Sequence, residues 1–272
     1  MDSKLILIAS ALIALLAVFS AGSGLFLPDT YKNDTISGAA QQVGNDLVVL
    51  VLCVPLLLVS AYYAAKGSLR GRLIWTGTVF FFLYTYASQS FLTAYNHMFL
   101  VYVAAFSISL YTFAASILTL DVRRVKESLP HAPVKMTAAF MFFISAILAL
   151  MWLGGIILPS LLTGERPPAL ETYTTLVIQA LDLGVVIPMT LLTGVLLLKR
   201  DAWGYTLASL VLIKVLTLGT GILSMVLFMA LRGVEIVIPQ VIIFALLVVC
   251  ALALAVAFYG KMKPAAAGRS KA

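Results

Sequence analysis

"TTLVIQALDLGVVIPMTLLTGVLLLKR", residues 174–200, holds a single charged side chain, Asp182, before the Lys199-Arg200 pair that closes it. About 20 apolar residues in a row suffice to cross the hydrocarbon core of a bilayer as a helix. Reading this stretch as a membrane span decides the fold, because the rest of the chain has the same texture. Of its 272 residues 62% are hydrophobic and 11% charged, whereas a soluble domain is about 25% charged. The two cysteines, Cys53 and Cys250, both lie in apolar runs and read as small packing residues rather than a disulfide.

Eight such spans are predicted, at 4–24, 46–65, 73–94, 98–120, 136–161, 174–198, 204–230 and 236–259. The fold class is an all-α, polytopic membrane helix bundle. Lys and Arg collect on the cytoplasmic side of membrane proteins. With the N-terminus inside, fourteen of the 18 basic residues fall on that side; Lys32, Arg166 and Arg232 fall outside, and Lys214 lies within a span. Both termini are therefore expected to be cytoplasmic and the protein to sit in the cytoplasmic membrane. The net charge of +7 belongs to loops facing the cytoplasm, not to a nucleic-acid footprint. The first span has small residues suited to signal cleavage, but Asp2 cancels Lys4, so it is read as retained.

An internal repeat runs through the spans. Pro55 and Pro188, Lys66 and Lys199, and Gly71 and Gly204 are each 133 positions apart (188 − 55, 199 − 66, 204 − 71). "GLFLP" from Gly24 and "GIILP" from Gly155 are offset by 131 (155 − 24). Each of Pro55 and Pro188 also has an Asp-Leu upstream, at Asp46 and Asp182. The order implies two four-helix halves running the same way, a 4+4 parallel duplication of a kind found in transporters. The halves are 1–120 and 136–260, joined by a cytoplasmic linker loop, 121–135, and followed by a disordered basic tail, 261–272. Residues 25–45 are expected to be the longest external loop.

Asp182 and Lys214 carry the strongest functional signal. An ionised group at the centre of a membrane helix costs about 2.5–3.5 kcal/mol, so it needs a partner or a wet cavity. At 1.5 Å per residue Asp182 lies roughly 12 Å from the outer end of its span and Lys214 roughly 15 Å from either face. Their spans form a hairpin closed by "KRDAWG", which puts the two at similar depth: as a structural ion pair, as a functional pair, or without contact, with Lys214 snorkelling or Asp182 protonated. Gly184 and Pro188 could break the helix beside them and expose backbone to a ligand. Gln179, one turn before Asp182, belongs to the same candidate site.

Other candidates are weaker. Asp46, beside Gln41, Gln42 and Asn45, reads as a solvated carboxylate at a helix start. Tyr86, Gln89, Thr93 and Asn96 or His97 form a polar stripe on one face of the third span, suited to interhelical hydrogen bonds or to lining a cavity. Trp75, Tyr95 and Trp203 are expected at the membrane interfaces. His97 and His131 fall on opposite sides of the bilayer, and no zinc, nucleotide or serine-hydrolase motif occurs, so no cofactor or metal is expected.

The stretches "GNDLVVLVLCVPLLL", "YTYASQSFLTAYNHMFLVYVAAFSISLYT", "ALDLGVVIP" and "LLLKRDAWGYTLASLVLIKVLTLG" resemble a family of uncharacterised prokaryotic polytopic membrane proteins. The resemblance spans about residues 20–230. It implies a small multi-span protein of the cytoplasmic membrane and transfers no activity or site residue. Three function classes follow from the residues. The leading one is a small-solute or proton-linked permease or channel-like protein using Asp182 and Lys214. The others are a membrane sensor or accessory subunit, and a membrane-embedded enzyme acting on a lipid or quinone. The expected partners are the lipid bilayer, a small-molecule ligand, and a protein partner or second copy.

Overall fold

The computed structural model of the protein describes residues 1–262. Among these residues every regular element is a helix. Eight are long: α1 Ser3–Phe26, α2 Ile36–Ala65, α3 Leu69–Phe91, α4 Phe99–Leu118, α6 Val134–Thr163, α7 Val177–Leu198, α8 Ala202–Leu231 and α9 Ile238–Gly260. A short helix, α5 Val122–Ser128, lies within the segment read as a loop at 121–135. Most of the tail read at 261–272 lies outside the described residues.

Seven of the long helices, all but α3, are apolar and long enough to cross a membrane. The chain is thus an integral membrane protein of several passes. α3 falls short in hydropathy because of residues such as Thr76, Thr78, Thr85 and Gln89, yet 15 of its 23 residues are buried. Its polar groups face other helices, where hydrogen-bonding side chains are tolerated.

Helix starts are capped as their sequences dictate. Thr35 accepts from the Gly38 N–H, Ser68 from Gly71, Asp121 from Arg124 and Asp201 from Trp203. Each cap satisfies a backbone donor that the first helical turn leaves unpaired. The Thr35 cap corrects one expectation. The second helix begins at Ile36, ten residues before the predicted 46, and the predicted loop 25–45 shrinks to residues 27–35. Gln41, Gln42 and Asn45 look like loop residues, but this part of α2 packs along α8. There a Cβ on Gly44 would come within 2.6 Å of the Met225 backbone.

Three of the long helices contain a π-helical stretch: Val49–Cys53 in α2, Leu150–Ile157 in α6 and Asp182–Val186 in α7. Each is followed within two residues by proline, at Pro55, Pro159 and Pro188. Proline lacks the N–H of an ordinary helical turn and clashes with the carbonyl four residues back, so a widened turn relieves both faults. The break expected at Gly184 and Pro188 is accordingly a widening, and α7 continues through it.

The π stretches of α2 and α7 are 133 positions apart (182 − 49), and so are the starts of α3 and α8 (202 − 69). The turns between them also correspond. Ser68 N–H bonds to Tyr63 O after Gly67 at φ 83°, and Asp201 N–H bonds to Leu196 O after Arg200 at φ 53°. Both are left-handed helix caps.

α3 and α8 pack on each other at the centre, with α2, α7 and α9 around α8 and with α2 and α4 around α3. Gly77 of α3 permits the central contact, since a Cβ there would sit 2.7 Å from Ile213 Cβ and 2.9 Å from Leu210 O. One buried cluster is built on α1–α4 and a larger one mainly on α6–α9. Ser3, Arg70 and Arg72, bonded to Ala65, Met262 and Thr119, mark the basic end of the bundle. Asn33, Asp34, Tyr95 and Tyr173 meet at the opposite end. Tyr95 and Trp203 are exposed, but Trp75, expected at an interface, is fully buried and donates its indole N–H to Ser10 Oγ at 2.7 Å.

Candidate functional site

Asp182 opens the π stretch of α7 and is 5% exposed. Tyr84 of α3 donates its hydroxyl to Asp182 Oδ1 at 2.7 Å, and Trp152 of α6 donates its indole N–H to Oδ2 at 2.9 Å. Both carboxylate oxygens thus have a donor. Lys214 of α8 is 1% exposed, and its ammonium rests over the Tyr84 ring, 4.1 Å from the centroid, with the Phe80 ring 5.9 Å away. The predicted direct pairing of Asp182 with Lys214 does not occur: the two are beyond ion-pair distance and meet through Tyr84. A cation over an aromatic face, desolvated, gains about 2 kcal/mol. The donated hydroxyl makes the tyrosine the link between the two charges.

Both charged residues line one cavity of about 530 Å³. Lys214 and Asp182 lie at its deep end. The α2 and α3 side carries Gln41, Gln42, Asn45, Ser88 and Gln89, while the α8 and α9 side carries Ile222, Met225, Met229, Phe244 and Leu247. Glu171 and Glu235 line it at the end opposite the basic one. The size is within the range of pockets that hold one small molecule.

Gln179 and Gln89 join Asp182 and Lys214 in the lining; the other predicted site residues lie elsewhere. Asp46 is fully buried, not solvated, because α2 begins ten residues before it. The Tyr31 hydroxyl donates to its Oδ2 at 2.6 Å, and Oδ1 has no partner. Gly24 of α1 leaves the room: a Cβ there would overlap that carboxylate. The polar stripe on α3 divides. Tyr86 pairs with Ser20 of α1 at 3.3 Å, while Gln42 of α2 donates to Thr93 at 2.8 Å. Asn96 accepts from the Met98 N–H, and His97 Nε2 lies 3.1 Å from Ser23 Oγ. Tyr86, Asn96 and His97 therefore serve contacts within the first half, outside the cavity.

Tyr84 and Trp152, the two donors to Asp182, were not singled out from the sequence. Trp152 offered a signal, being an indole N–H inside an apolar run that must find an acceptor. Tyr84 lies on the same α3 face as Gly77 and Phe80, turned well away from the stripe.

At the end away from the basic residues, Asp34 accepts from the Ala94 N–H and the Tyr173 hydroxyl, each at 2.9 Å. Burial lifts its carboxyl above the ordinary range, and these two bonds oppose the shift. The Tyr173 phenol is pushed up to about 12, first by burial and then by the Asp34 charge. Among the described residues no three His, Cys, Asp or Glu side chains gather as a metal centre requires. No protein-family model, curated protein or solved structure matches the chain.

Proposed function

We propose that the cavity is the outward-facing binding site of a small-solute permease with eight spans. In this reading α3 is the eighth span, screened from lipid by its neighbours, and the basic end is cytoplasmic, so both termini face inward. The 133-position correspondence of the π stretches, the left-handed caps and the starts of α3 and α8 supports descent from a four-helix unit duplicated in the same orientation. The resemblance to uncharacterised prokaryotic membrane proteins fits a place in the cytoplasmic membrane.

The observation that carries the proposal is the cavity itself, which reaches two buried charges deep in the bundle from the end opposite the basic residues. Charges placed at such depth are costly unless they serve a site or a pathway. Asp182, held by Tyr84 and Trp152, fixes the position of the floor. Lys214, without a hydrogen-bond acceptor among the described residues, offers a charge to a ligand. Motion of α6 or α7 at their π stretches would expose the floor to the other side.

The test uses Ser88→Cys and Val226→Cys in a background with Cys53 and Cys250 replaced by Ala. A membrane-impermeant thiol reagent is added to intact cells and to inverted vesicles. Modification from the outside is expected, with protection when Lys214 is kept and a transported solute is present. Modification from neither side would overturn the cavity as a binding site. Modification from outside with no solute flux in proteoliposomes, across a panel of ions and metabolites, would overturn the permease.

A further inference from the structure

The second half of the bundle is not closed the way the first is. In α1 the last turns are packed, with Ser20, Ala21, Ser23 and Gly24 all buried, and α4 lies along α1. In α6 no residue of Leu150–Ile157 or Leu158–Thr163 is buried, and α9 scarcely touches α6. The cavity lies inside this loosened region, with Met151, Trp152 and Ile156 of α6 on one side and Val241 and Phe244 of α9, with Val237 just before it, on the other. Apart from Gln240 both sides of the slot are apolar, as a surface that meets lipid should be.

Three further observations concern what passes through. The cavity has one polar wall, on α2 and α3, and one mainly apolar wall, on α8 and α9, interrupted by Lys214 and Gln240. Among the described residues the Lys214 ammonium at its floor has no hydrogen-bond acceptor, while Asp182 has a donor at each oxygen. Glu171 and Glu235, by their position, repel anions arriving from water. A free anion therefore meets opposition at the aqueous mouth and attraction at the floor. An anion carried on an apolar chain avoids the mouth by coming through the slot.

We infer that the cavity takes an anionic amphiphile from the bilayer, admitted between α6 and α9, and seats its acidic head on Lys214. This rests on the reading of the cavity as a binding site and adds the class of ligand. The head exchanges water for the ammonium and the amides of the polar wall, and the chain lies along α8 and α9 or trails into lipid. The volume of about 530 Å³ suits a single chain with a small head.

Trp152 lines the cavity, whereas Trp75 is buried among α1–α4 and Trp203 lies at the start of α8. Tryptophan fluorescence of the purified full chain is titrated with dibrominated stearic acid, whose bromines quench at short range. The matching stearyl alcohol and the short anion bromobenzoate are titrated in parallel. The acid is expected to quench saturably, and Trp152→Phe to abolish the saturable part. Lys214→Gln is expected to raise the midpoint about tenfold or more, the loss of one charge-assisted hydrogen bond. Ile156→Trp, titrated in the Trp152→Phe background as a second variant that moves the reporter to the slot, should restore saturable quenching there.

Equal binding of the alcohol would overturn the acidic head. Equal binding of bromobenzoate would overturn admission from the bilayer. No saturable quenching by any of the three, with Trp152 still reached by acrylamide, would overturn the amphiphile and leave the cavity standing. Trp152 shielded from acrylamide would overturn the cavity reading as well.

Discussion

Lys214 and Asp182 share Tyr84 instead of touching: the ammonium lies 4.1 Å from the ring centroid, and the hydroxyl of the same ring donates to Asp182 at 2.7 Å. Tyr84→Phe separates the two functions, since it keeps the ring and removes the donor. Loss of one hydrogen bond to a buried charged acceptor costs about 1.5–3 kcal/mol. The variant should unfold at lower temperature in detergent. A double-mutant cycle with Asp182→Asn should show that most of the loss disappears once the carboxylate is gone. Full additivity in that cycle would mean that the Tyr84–Asp182 bond does not hold the site.

Trp152 is the other donor, and it ties the loosened part of α6 to α7. Trp152→Phe should lower the midpoint of global unfolding less than Tyr84→Phe does, because no residue of Leu150–Thr163 is buried. Amide hydrogen exchange is the proper measurement, since it reports local opening. Exchange in residues 150–163 should accelerate, and that in Ala202–Leu231 should not. Acceleration spread evenly over the bundle would place the tie elsewhere.

How far these relationships were legible depends on the kind of information involved. Hydropathy and length marked the apolar helices, and the two charges within them marked one end of a cavity. What the charges face depends on helix rotation, and a string of residues does not show that. Asp46 shows the difficulty: its polar neighbours suggested solvent, yet α8 covers that stretch and Tyr31 meets the carboxylate. Trp75 misled for the same reason, since its Ser10 acceptor lies 65 positions away. The 133-position pattern was readable because prolines and glycines bear on the backbone directly. Proline required the widened turns, and Gly71 and Gly204 sit where an added Cβ would run into the end of the preceding helix.

Two helical glycines offer a contrast that composition alone misses. Gly184, beside Asp182, has nothing within 4 Å of an added Cβ, while Gly77 has Ile213 Cβ at 2.7 Å and Leu210 O at 2.9 Å. Gly184→Ala should be neutral or stabilise by up to about 1 kcal/mol through helix propensity. Gly77→Ala should destabilise by about 1–3 kcal/mol, as overpacking does, because the neighbouring atoms include backbone. Thermal unfolding of the two variants checks this, and equal effects would mean that α3 and α8 do not approach as closely as described.

Asp34 gives the pH prediction. Its carboxyl is raised from the ordinary 3.8, chiefly by burial, while the Ala94 N–H and the Tyr173 hydroxyl pull it back. The folded state therefore holds this proton more tightly than the unfolded chain does. The stabilisation is full below pH 3.8 and is lost as pH rises through the folded value, so at neutral pH the ionised group is a liability. Asp34→Asn keeps an oxygen to accept from Ala94 and Tyr173 and carries no charge. Its unfolding temperature should exceed that of the native chain at pH 7, and the gap should narrow as the pH falls toward 4. A gap that stayed constant or widened on acidification would show that hydrogen bonding to the ionised carboxylate, not its burial, dominates at this end of the bundle.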